Sequence, residues 1–422
     1  MAKPIPGSQY VIVKGDTLSG IAYAAYGQGR KWPRIWAANQ TRLRSGDPNL
    51  IFPGETITIP ILPELEPQAV ADSELLPTAE PIEDVIEDFQ ITIKGKQIKV
   101  KSARAIRTMD TCADGWNAVA YWDPDDELLS DLFRPYSYYP TKVWVGGQLI
   151  ITGPLYVSES QVKDDEVSKV LEGFSYTADL IDSTLSPPYS RNGMTLNQVA
   201  NELASYHGIK VVDTTPALGI FEKVTAEPTD TIFEHLAKLA KQKSALISST
   251  PRGELLILRA NTTGKPVGSI GDELARGHDY SARFDGRERF NAYRLLSKRR
   301  GNQLREAIAK DDVVPRNRVK TINADDTTSG DIQQAADWER SKALVDALSI
   351  PFPVSDWYAP DGTLWRENTL VTVESARLHV PDGFTFLIRS VEYIFEEDGK
   401  KSVLNLVPPQ AYTGEPLEEP WV

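Results

Sequence analysis

Residue types that could carry out catalysis are few in this chain, and none falls in a recognisable catalytic pattern. The four histidines, which show neither an HExxH motif nor a His/Cys metal spacing, are His207, His235, His278 and His379. The single cysteine, Cys112, has no nucleophile signature around it and is expected to be buried. A G-x-S-x-G elbow, a Walker loop and a GxGxxG turn are all missing from the sequence. We therefore predict no catalytic residue, no metal site and no cofactor.

Acidic pairs need separate consideration, because a glycosidase requires only two carboxylates. The densest acidic cluster, which could also surround a cation, consists of Asp123, Asp125, Asp126 and Glu127. Pro124 interrupts this cluster, and no glycine stands where an ion-binding loop needs one. We interpret the cluster as a solvated turn, and we do not expect the chain to be an enzyme.

The chain has 422 residues, which is enough for about three or four domains. Hydrophobic residues make up 41% of the sequence, which allows a buried core. No apolar run approaches the ~18–20 residues of a membrane-spanning helix, and the first ten residues lack a signal-peptide pattern. One cysteine permits no internal disulfide, so we expect a protein made and folded in a reducing cytoplasm.

The formal charge of −13 is unevenly distributed. Residues 1–62 contain seven basic and three acidic side chains and carry +4, so the rest of the chain carries −17. This acidic remainder argues against tight, sequence-independent binding of nucleic acid, which requires Lys and Arg against the phosphates.

The clearest domain boundary is the stretch 63–88, which contains nine acidic residues, four prolines and no basic residue. Such a segment repels itself and resists regular structure. We predict an extended linker between two independently folded parts.

Residues 89–188 are predicted to form a small antiparallel β domain that resembles a barrel. Apolar and polar residues alternate from 89 to 93, and Lys94-Gly95-Lys96 then supplies a hairpin turn. A second hairpin pattern spans 142–152, and 167–176 is a third strand candidate.

Residues 189–261 predict an α/β module with two helices, each followed by strands. Thr195 with Gln198, and Thr231 with Glu234, are capping-box pairs at the two helix starts. The apolar residues of the second helix have helical spacing and are expected to lie in the core.

Strands return in residues 262–412, which predict a second barrel-like domain. The strand candidates are 290–296, 370–374, 384–393 and 402–406, with a helix at Ile332–Leu348. Tight turns are predicted at Pro381-Asp382-Gly383 and Asp398-Gly399. The last residues, 413–422, are predicted to be a loose tail.

The N-terminal part resembles a LysM domain, with boundaries at 8–62. The resemblance rests on YVIVKGDTLSGIAYAAYG, then WPRIWAANQ, then NLIFPGETITIP. It implies a βααβ fold in which two helices stack on a two-stranded sheet. Asp16 or Thr17 can cap the first helix, and Pro53-Gly54 forces a turn before the last strand.

LysM domains typically bind N-acetylglucosamine chains such as peptidoglycan in a shallow groove. The groove residues that the resemblance implies in this chain are Gly15, Asp16, Thr17, Leu18, Asn49, Leu50, Ile51 and Pro53. An alternative stays open, in which the domain docks another protein instead of a sugar chain. Trp32 and Trp36, which depart from the plainest pattern, are interpreted as packing residues of the second helix.

The remainder resembles the baseplate hub family of Mu-like phages, akin to the late-control D proteins and the T4-type hub. The resemblance is densest in DWYAPDGTLWRENTLVTVESARL and FTFLIRSVEYIFEEDGKKSVLNLVPPQAY. A second matching stretch is ARFDGRERFNAYRLLSKRRG, which is interpreted as the first strand of the second barrel. A third is FEKVTAEPTDTIFEHLAKLAKQKSALISSTPRGELLILR, and RTMDTCADGW matches more weakly. The implied fold class is multidomain and mainly β with α+β parts: a LysM domain, two β-barrel-like hub domains and an α/β module.

The resemblance implies a virion structural protein of the tail baseplate, assembled in the host cytoplasm. Such hubs are homotrimers that join a hexameric tail tube to a trimeric puncturing tip, with wedge proteins as further partners and DNA only as passing cargo. Acidic channel walls would let DNA slide without sticking, which we state as a hypothesis.

The alternative function is a cell-wall hydrolase that its LysM domain directs to peptidoglycan. The β-rich body and the lack of a catalytic pattern count against it. The aromatic residues expected in the cores of the two barrels, or at seams between subunits, are Trp357, Trp365, Tyr393, Trp144 and Trp116.

Overall fold

The structure is a computed structural model that describes residues 4–26, 31–40, 42–45, 47–48, 50–60, 89–163, 166–275, 278–298, 304–323, 332–397 and 399–413. The chain divides into two compact units, Met1–Asp84 and Val85–Val422. The predicted linker at 63–88 and the predicted tail from residue 414 onward lie outside the described residues.

The first unit is a βααβ arrangement, as the LysM resemblance implies. Its elements are β1 (Gln9–Val11), α1 (Leu18–Tyr26), α2 (Trp32–Asn39) and β2 (Thr56–Thr58). The two strands pair antiparallel, and buried Ile12, Ile21, Ile35 and Ile57 form the centre of the core between the helices and the sheet.

The second unit, called the body here, contains all the remaining elements. Its first part contains β3 (Phe89–Ile93), β4 (Lys96–Ile98), β5 (Val100–Thr108), β6 (Gly115–Tyr121), α3 (Glu127–Leu132), β7 (Pro140–Val145), β8 (Gln148–Lys163), β9 (Glu166–Phe174) and α4 (Asp179–Asp182). Its middle part contains β10 (Ser190–Thr195), α5 (Leu196–Ser205), β11 (Val211–Asp213), β12 (Ile220–Thr225), α6 (Ile232–Lys241), β13 (Leu246–Ser249) and β14 (Leu255–Leu258). Its last part contains β15 (Ser269–Gly271), β16 (Arg283–Phe284), β17 (Ala292–Lys298), β18 (Leu304–Lys310), β19 (Val319–Asn323), α7 (Ile332–Ala347), β20 (Leu348–Val354), β21 (Leu370–Ser375), β22 (Val380–Glu396) and β23 (Gly399–Val407).

One sheet of thirteen strands runs through the body in the order β16-β20-β23-β22-β5-β6-β9-β8-β7-β3-β4, with β21 and β15 branching from β22. The mainly β prediction is confirmed. The two regions expected to be barrel-like share this sheet, because β5 pairs antiparallel with β22 from Ala103↔Phe395 to Thr108↔Ser390. Within the described residues the sheet stays open and does not close on itself.

The α/β module has the predicted helices and their caps. Thr195 caps α5 and Thr231 caps α6, each in a complete capping box. Strands β11, β14 and β13 form a three-stranded sheet, and β10 pairs with β12. A separate apolar core fills this module.

Two sequence predictions for the last part of the body are wrong. Strand β17, expected in the second barrel, instead forms a small sheet of order β18-β17-β19, because its buried face packs on α7 through Tyr293 and Leu295. The turn predicted at 381–383 lies within β22. The chain reverses earlier, through a single helical turn at Ala376–Leu378 followed by His379 at φ 60°.

The aromatic residues expected in the barrel cores are mostly buried in one shared core. Trp357, Trp365, Tyr393 and Trp116 are at most 4% exposed, whereas Trp144 is half-buried. The Trp357 indole donates to the carbonyls of Ile394 and Lys401, both at 3.1 Å. These contacts favour the core interpretation over a subunit seam.

A buried ionic cluster centred on Arg107 joins distant parts of the body. The Arg107 guanidinium on β5 donates to the Asp114 carboxylate at 2.8 Å and to Glu367 at 2.6 Å. It also donates to the carbonyls of Ile150 on β8, at 3.2 Å, and Ser249 on β13, at 2.9 Å. Arg107 and Asp114 are 2% and 0% exposed, so the cluster is part of the interior rather than a site open to solvent.

The electrostatics of this cluster follow from one cation and two carboxylates in a dry interior. Burial raises the pKa of Asp114 to about 6, although the charge of Arg107 acts to lower it. Burial also acts to raise the pKa of Glu367, but the Arg107 guanidinium outweighs it and holds that pKa below its ordinary value. Removing the cation would leave two buried carboxylates facing each other.

The substitution Arg107→Met should lower the free energy of unfolding of the body by about 3–5 kcal/mol at pH 8, because it leaves buried carboxylates without a counter-charge. The loss should shrink at pH 5. A carboxyl group whose folded pKa is raised binds a proton on folding, so its destabilising effect is relieved as the pH falls. Chemical denaturation at the two pH values measures both effects.

Arg104→Met is the matched control, since Arg104 lies on the same strand in an exposed pair with Glu392 at 3.3 Å. It should cost about 1 kcal/mol or less. Equal losses in the two variants would contradict a special role for the Arg107 cluster.

Candidate functional site

A cleft of about 250 Å³ opens in the first unit between the start of α1 and the segment that precedes β2. The residues that line it are Asp16, Thr17, Leu18, Ser19, Trp32, Pro48, Leu50 and Ile51. It lies where the LysM resemblance places a sugar groove.

The near wall of the cleft is a turn that Asp16 holds in place. Gly15 adopts φ +99°, which permits the tight turn, and the Asp16 carboxylate accepts the Val13 amide at 2.9 Å. The Tyr10 hydroxyl donates to the same carboxylate at 3.0 Å, and burial together with this carboxylate raises the pKa of Tyr10. Thr17, one of the two predicted caps, is the residue that caps α1, because its hydroxyl accepts the Gly20 amide at 3.0 Å.

The far wall is fixed by Glu55. Its carboxylate accepts the backbone amides of Arg44 and Phe52, each at 2.8 Å, and these bonds lower the pKa of Glu55. Gly54 turns the chain at φ +90° and donates its amide to the Ile12 carbonyl at 2.8 Å. The segment that carries Leu50 and Ile51 is therefore held at both ends.

The base of the unit is held by Asn39, which is fully buried. Its amide group donates to the carbonyls of Ile35 and Thr58 at 2.7 Å, and its oxygen accepts the Thr58 amide at 2.8 Å. These bonds tie α2 to β2 and so set the position of Trp32, the first residue of α2. Both amide hydrogens of the Asn39 side chain and its oxygen thus have partners.

The cleft combines apolar walls with a few polar groups. Leu18, Trp32, Leu50 and Ile51 line it together with the hydroxyl-bearing residues Thr17 and Ser19. Aromatic and aliphatic surface with sparse, fixed polar groups can bind either a hydroxyl-rich sugar chain or an extended peptide.

Five of the eight predicted groove residues line the cleft, namely Asp16, Thr17, Leu18, Leu50 and Ile51. Gly15 and Pro53 are not among the lining residues, and Asn49 lies outside the described residues. Sequence reasoning did not include Ser19, Trp32 and Pro48 in the groove.

Of the lining residues that were not predicted, Trp32 is the most informative. It packs on the core of the unit, as predicted, and it also lines the cleft. An aromatic residue at the first position of a helix beside a predicted groove is the signal that could have identified it.

The remaining reactive residue types are accounted for by packing. Cys112 is buried, its thiol contacts the Thr177 carbonyl at 3.3 Å, and burial raises the pKa of this thiol. Burial lowers the pKa of His235 to about 4, so its ring is neutral at physiological pH.

In the part of the chain that the structure describes, no three His, Cys, Asp or Glu side chains gather in a metal-binding arrangement. Helices with the length and apolar character to cross a membrane are likewise missing from the described ranges.

Comparison with known protein families gives three matches along the chain. Residues 10–60 match the LysM domain. Residues 177–259 match the second domain of the gp44-like baseplate hub proteins, and residues 328–415 match the fourth domain of the Mu phage baseplate assembly protein GpP.

Two individual relatives are similar to parts of this chain. The baseplate hub protein gp44 of Escherichia phage Mu is 26% identical over 286 residues, which cover 64% of this chain and 74% of gp44. The potassium binding protein Kbp of Escherichia coli is 42% identical over 60 residues, which cover 14% of this chain and 39% of Kbp.

Solved structures show the same fold for the body. The 43 kDa tail protein of prophage MuSo2 from Shewanella oneidensis has a TM-score of 0.66 at 25% identity, covering 77% of this chain and 99% of that protein. A tail protein from Neisseria meningitidis MC58 has a TM-score of 0.67 at 19% identity, covering 78% and 98%. The chain therefore contains a gp44-like and a GpP-like baseplate hub domain, is similar to gp44 of phage Mu, and has a LysM domain at its N-terminus.

Proposed function

We propose that this protein is the homotrimeric hub of a contractile tail, an adaptor that joins the hexameric tail tube to the trimeric tip. The observation that carries this proposal is the match of the body to the Mu baseplate hub over 64% of the chain. Its partners would be other copies of itself, the tube protein, the tip protein and the surrounding wedge proteins, in a virion assembled in the host cytoplasm.

The body would serve as a rigid ring segment rather than as an enzyme. The body contains one sheet of thirteen strands, which a buried ionic cluster links to the α/β module. Such a structure would transmit force with little deformation. DNA would pass through the ring as cargo, and the formal charge of −8 on residues 89–422 supports weak contact with it. The relatives that match the body are baseplate and tail proteins, so the hydrolase alternative gains no support.

For the LysM unit we propose attachment, either to peptidoglycan or to a neighbouring baseplate protein. The cleft between α1 and the segment before β2 is the contact surface in both cases. The proposed contacts include the predicted groove residues that line it, together with Trp32.

The full chain should be retained on purified peptidoglycan at both ~0.1 M and ~0.5 M NaCl if the cleft binds sugar, because salt screens charge but leaves apolar and hydrogen-bonded contacts intact. Trp32→Ala and Leu50→Ala should each weaken retention about tenfold or more, since each removes apolar cleft surface. A sedimentation assay with washed cell-wall sacculi measures the bound fraction.

Tyr23→Ala is the control, because Tyr23 is 67% exposed on the same helix as Leu18 but does not line the cleft. It should bind like the unaltered chain. Retention that is absent, or that disappears at ~0.5 M salt in all variants, would assign the cleft to a baseplate protein instead.

The trimer can be tested on the purified chain. Sedimentation velocity should show a species with three times the chain mass of 46.8 kDa at micromolar concentration. A monomer at every concentration and salt tested would contradict the proposal that the hub assembles by itself.

A further inference from the structure

The charge of the body is strongly segregated. Residues 283–320 contain twelve Lys and Arg but only five Asp and Glu, a formal charge of +7. Residues 89–422 together carry −8, so the rest of the body carries −15. The basic segment is the part of the chain that forms β16, β17, β18 and the start of β19. The chain thus contains two parts of opposite net charge.

The basic segment exposes both charged and apolar side chains on the β18-β17-β19 sheet. One face of this sheet is buried against α7, and the opposite face leaves Ile308 40% and Val319 47% exposed. Lys310 on the edge strand and Arg316 just after it are both exposed, and neither forms a salt bridge among the described residues. Ile308 lies two residues from Lys310 on β18, and apolar side chains beside cations suit an acidic protein surface better than a phosphate backbone.

A surface of matching character follows β6. Asp125 and Glu127 are exposed there, and neither forms an ion pair within the described ranges. Leu128, which follows Glu127 in the sequence, is 53% exposed. Asp126 differs from them, because its carboxylate caps α3 by accepting the Leu129 amide at 3.0 Å. This acidic turn therefore has exposed carboxylates next to an exposed apolar side chain. The basic surface has exposed cations next to an exposed apolar side chain in the same way.

We propose that the β18 edge of one copy docks on the acidic turn after β6 of a second copy, as a head-to-tail contact. A ring with threefold symmetry requires a contact between two different patches, because only twofold symmetry lets one patch meet itself. Lys310 and Arg316 meet Asp125 and Glu127, and Ile308 packs against Leu128. The inference rests on the proposed trimer and adds the surfaces that close it.

A charge-swap experiment on the full chain tests the contact. The basic pair is reversed in Lys310→Glu/Arg316→Glu, the acidic pair in Asp125→Lys/Glu127→Lys, and both pairs in the fourfold variant. Each pair reversal should raise the concentration at which half of the trimer dissociates by about tenfold or more at ~0.1 M salt, since like charges then face each other. The fourfold variant should return to within about threefold of the unaltered chain.

The matched control is Lys210→Glu/Lys223→Glu, which makes the same charge change at exposed positions of the α/β module. It should leave the trimer unchanged. Circular dichroism melts of all variants establish that they are folded, and restoration in the fourfold variant cannot arise from misfolding.

The outcomes separate the two proposals. If the unaltered chain is a trimer and the pair reversals leave it so, the docking inference is overturned while the trimer stands. If the unaltered chain is a monomer throughout, the proposed trimer fails first. If the basic pair instead controls salt-sensitive binding of duplex DNA in a gel-shift assay and does not affect the trimer, the surface binds nucleic acid and the inference is wrong.

Discussion

The Arg107 guanidinium is the interaction on which the architecture of the body depends. A buried cation needs all of its acceptors at once, because any that is missing leaves charge or donor groups unsatisfied in a dry interior. Those acceptors come from the loop after β5, from β8, from β13 and from the segment before β21. The barrel-like regions and the α/β module are therefore parts of one cooperative structure.

The LysM unit applies the same principle with single polar side chains. Asp16, Asn39 and Glu55 each bind backbone groups that would otherwise be left without partners at turns and strand ends. The Asp16 carboxylate therefore already accepts hydrogen bonds from the turn that forms the near wall, although Asp16 lines the cleft. Ligand affinity would then come mainly from Trp32, Leu50 and the other apolar residues of the cleft.

Local sequence patterns predicted those features of the fold that depend on nearby residues. The capping boxes at Thr195 and Thr231 mark the starts of α5 and α6, since a cap needs only four consecutive residues. The pairing of β5 with β22 left no such pattern, because register between distant strands is set by tertiary packing. Strand β17 was assigned to the wrong sheet for the same reason: alternation shows that a strand has one buried face but not what covers it. The cleft shows the same division: three of the four predicted residues of the α1 turn line it, whereas Trp32, which also lines it, was interpreted only as a packing residue.

The β5–β22 pairing also has a consequence for synthesis on the ribosome. Arg104 on β5 and Glu392 on β22 are 288 residues apart in sequence. At roughly 5–20 residues per second, β22 leaves the ribosome about 15–60 s after its partner strand. The small LysM unit has all of its contacts long before then and can fold first. During that interval the edge of β5 has no partner, so the nascent body is most exposed to aggregation and to chaperones just before its last strands arrive.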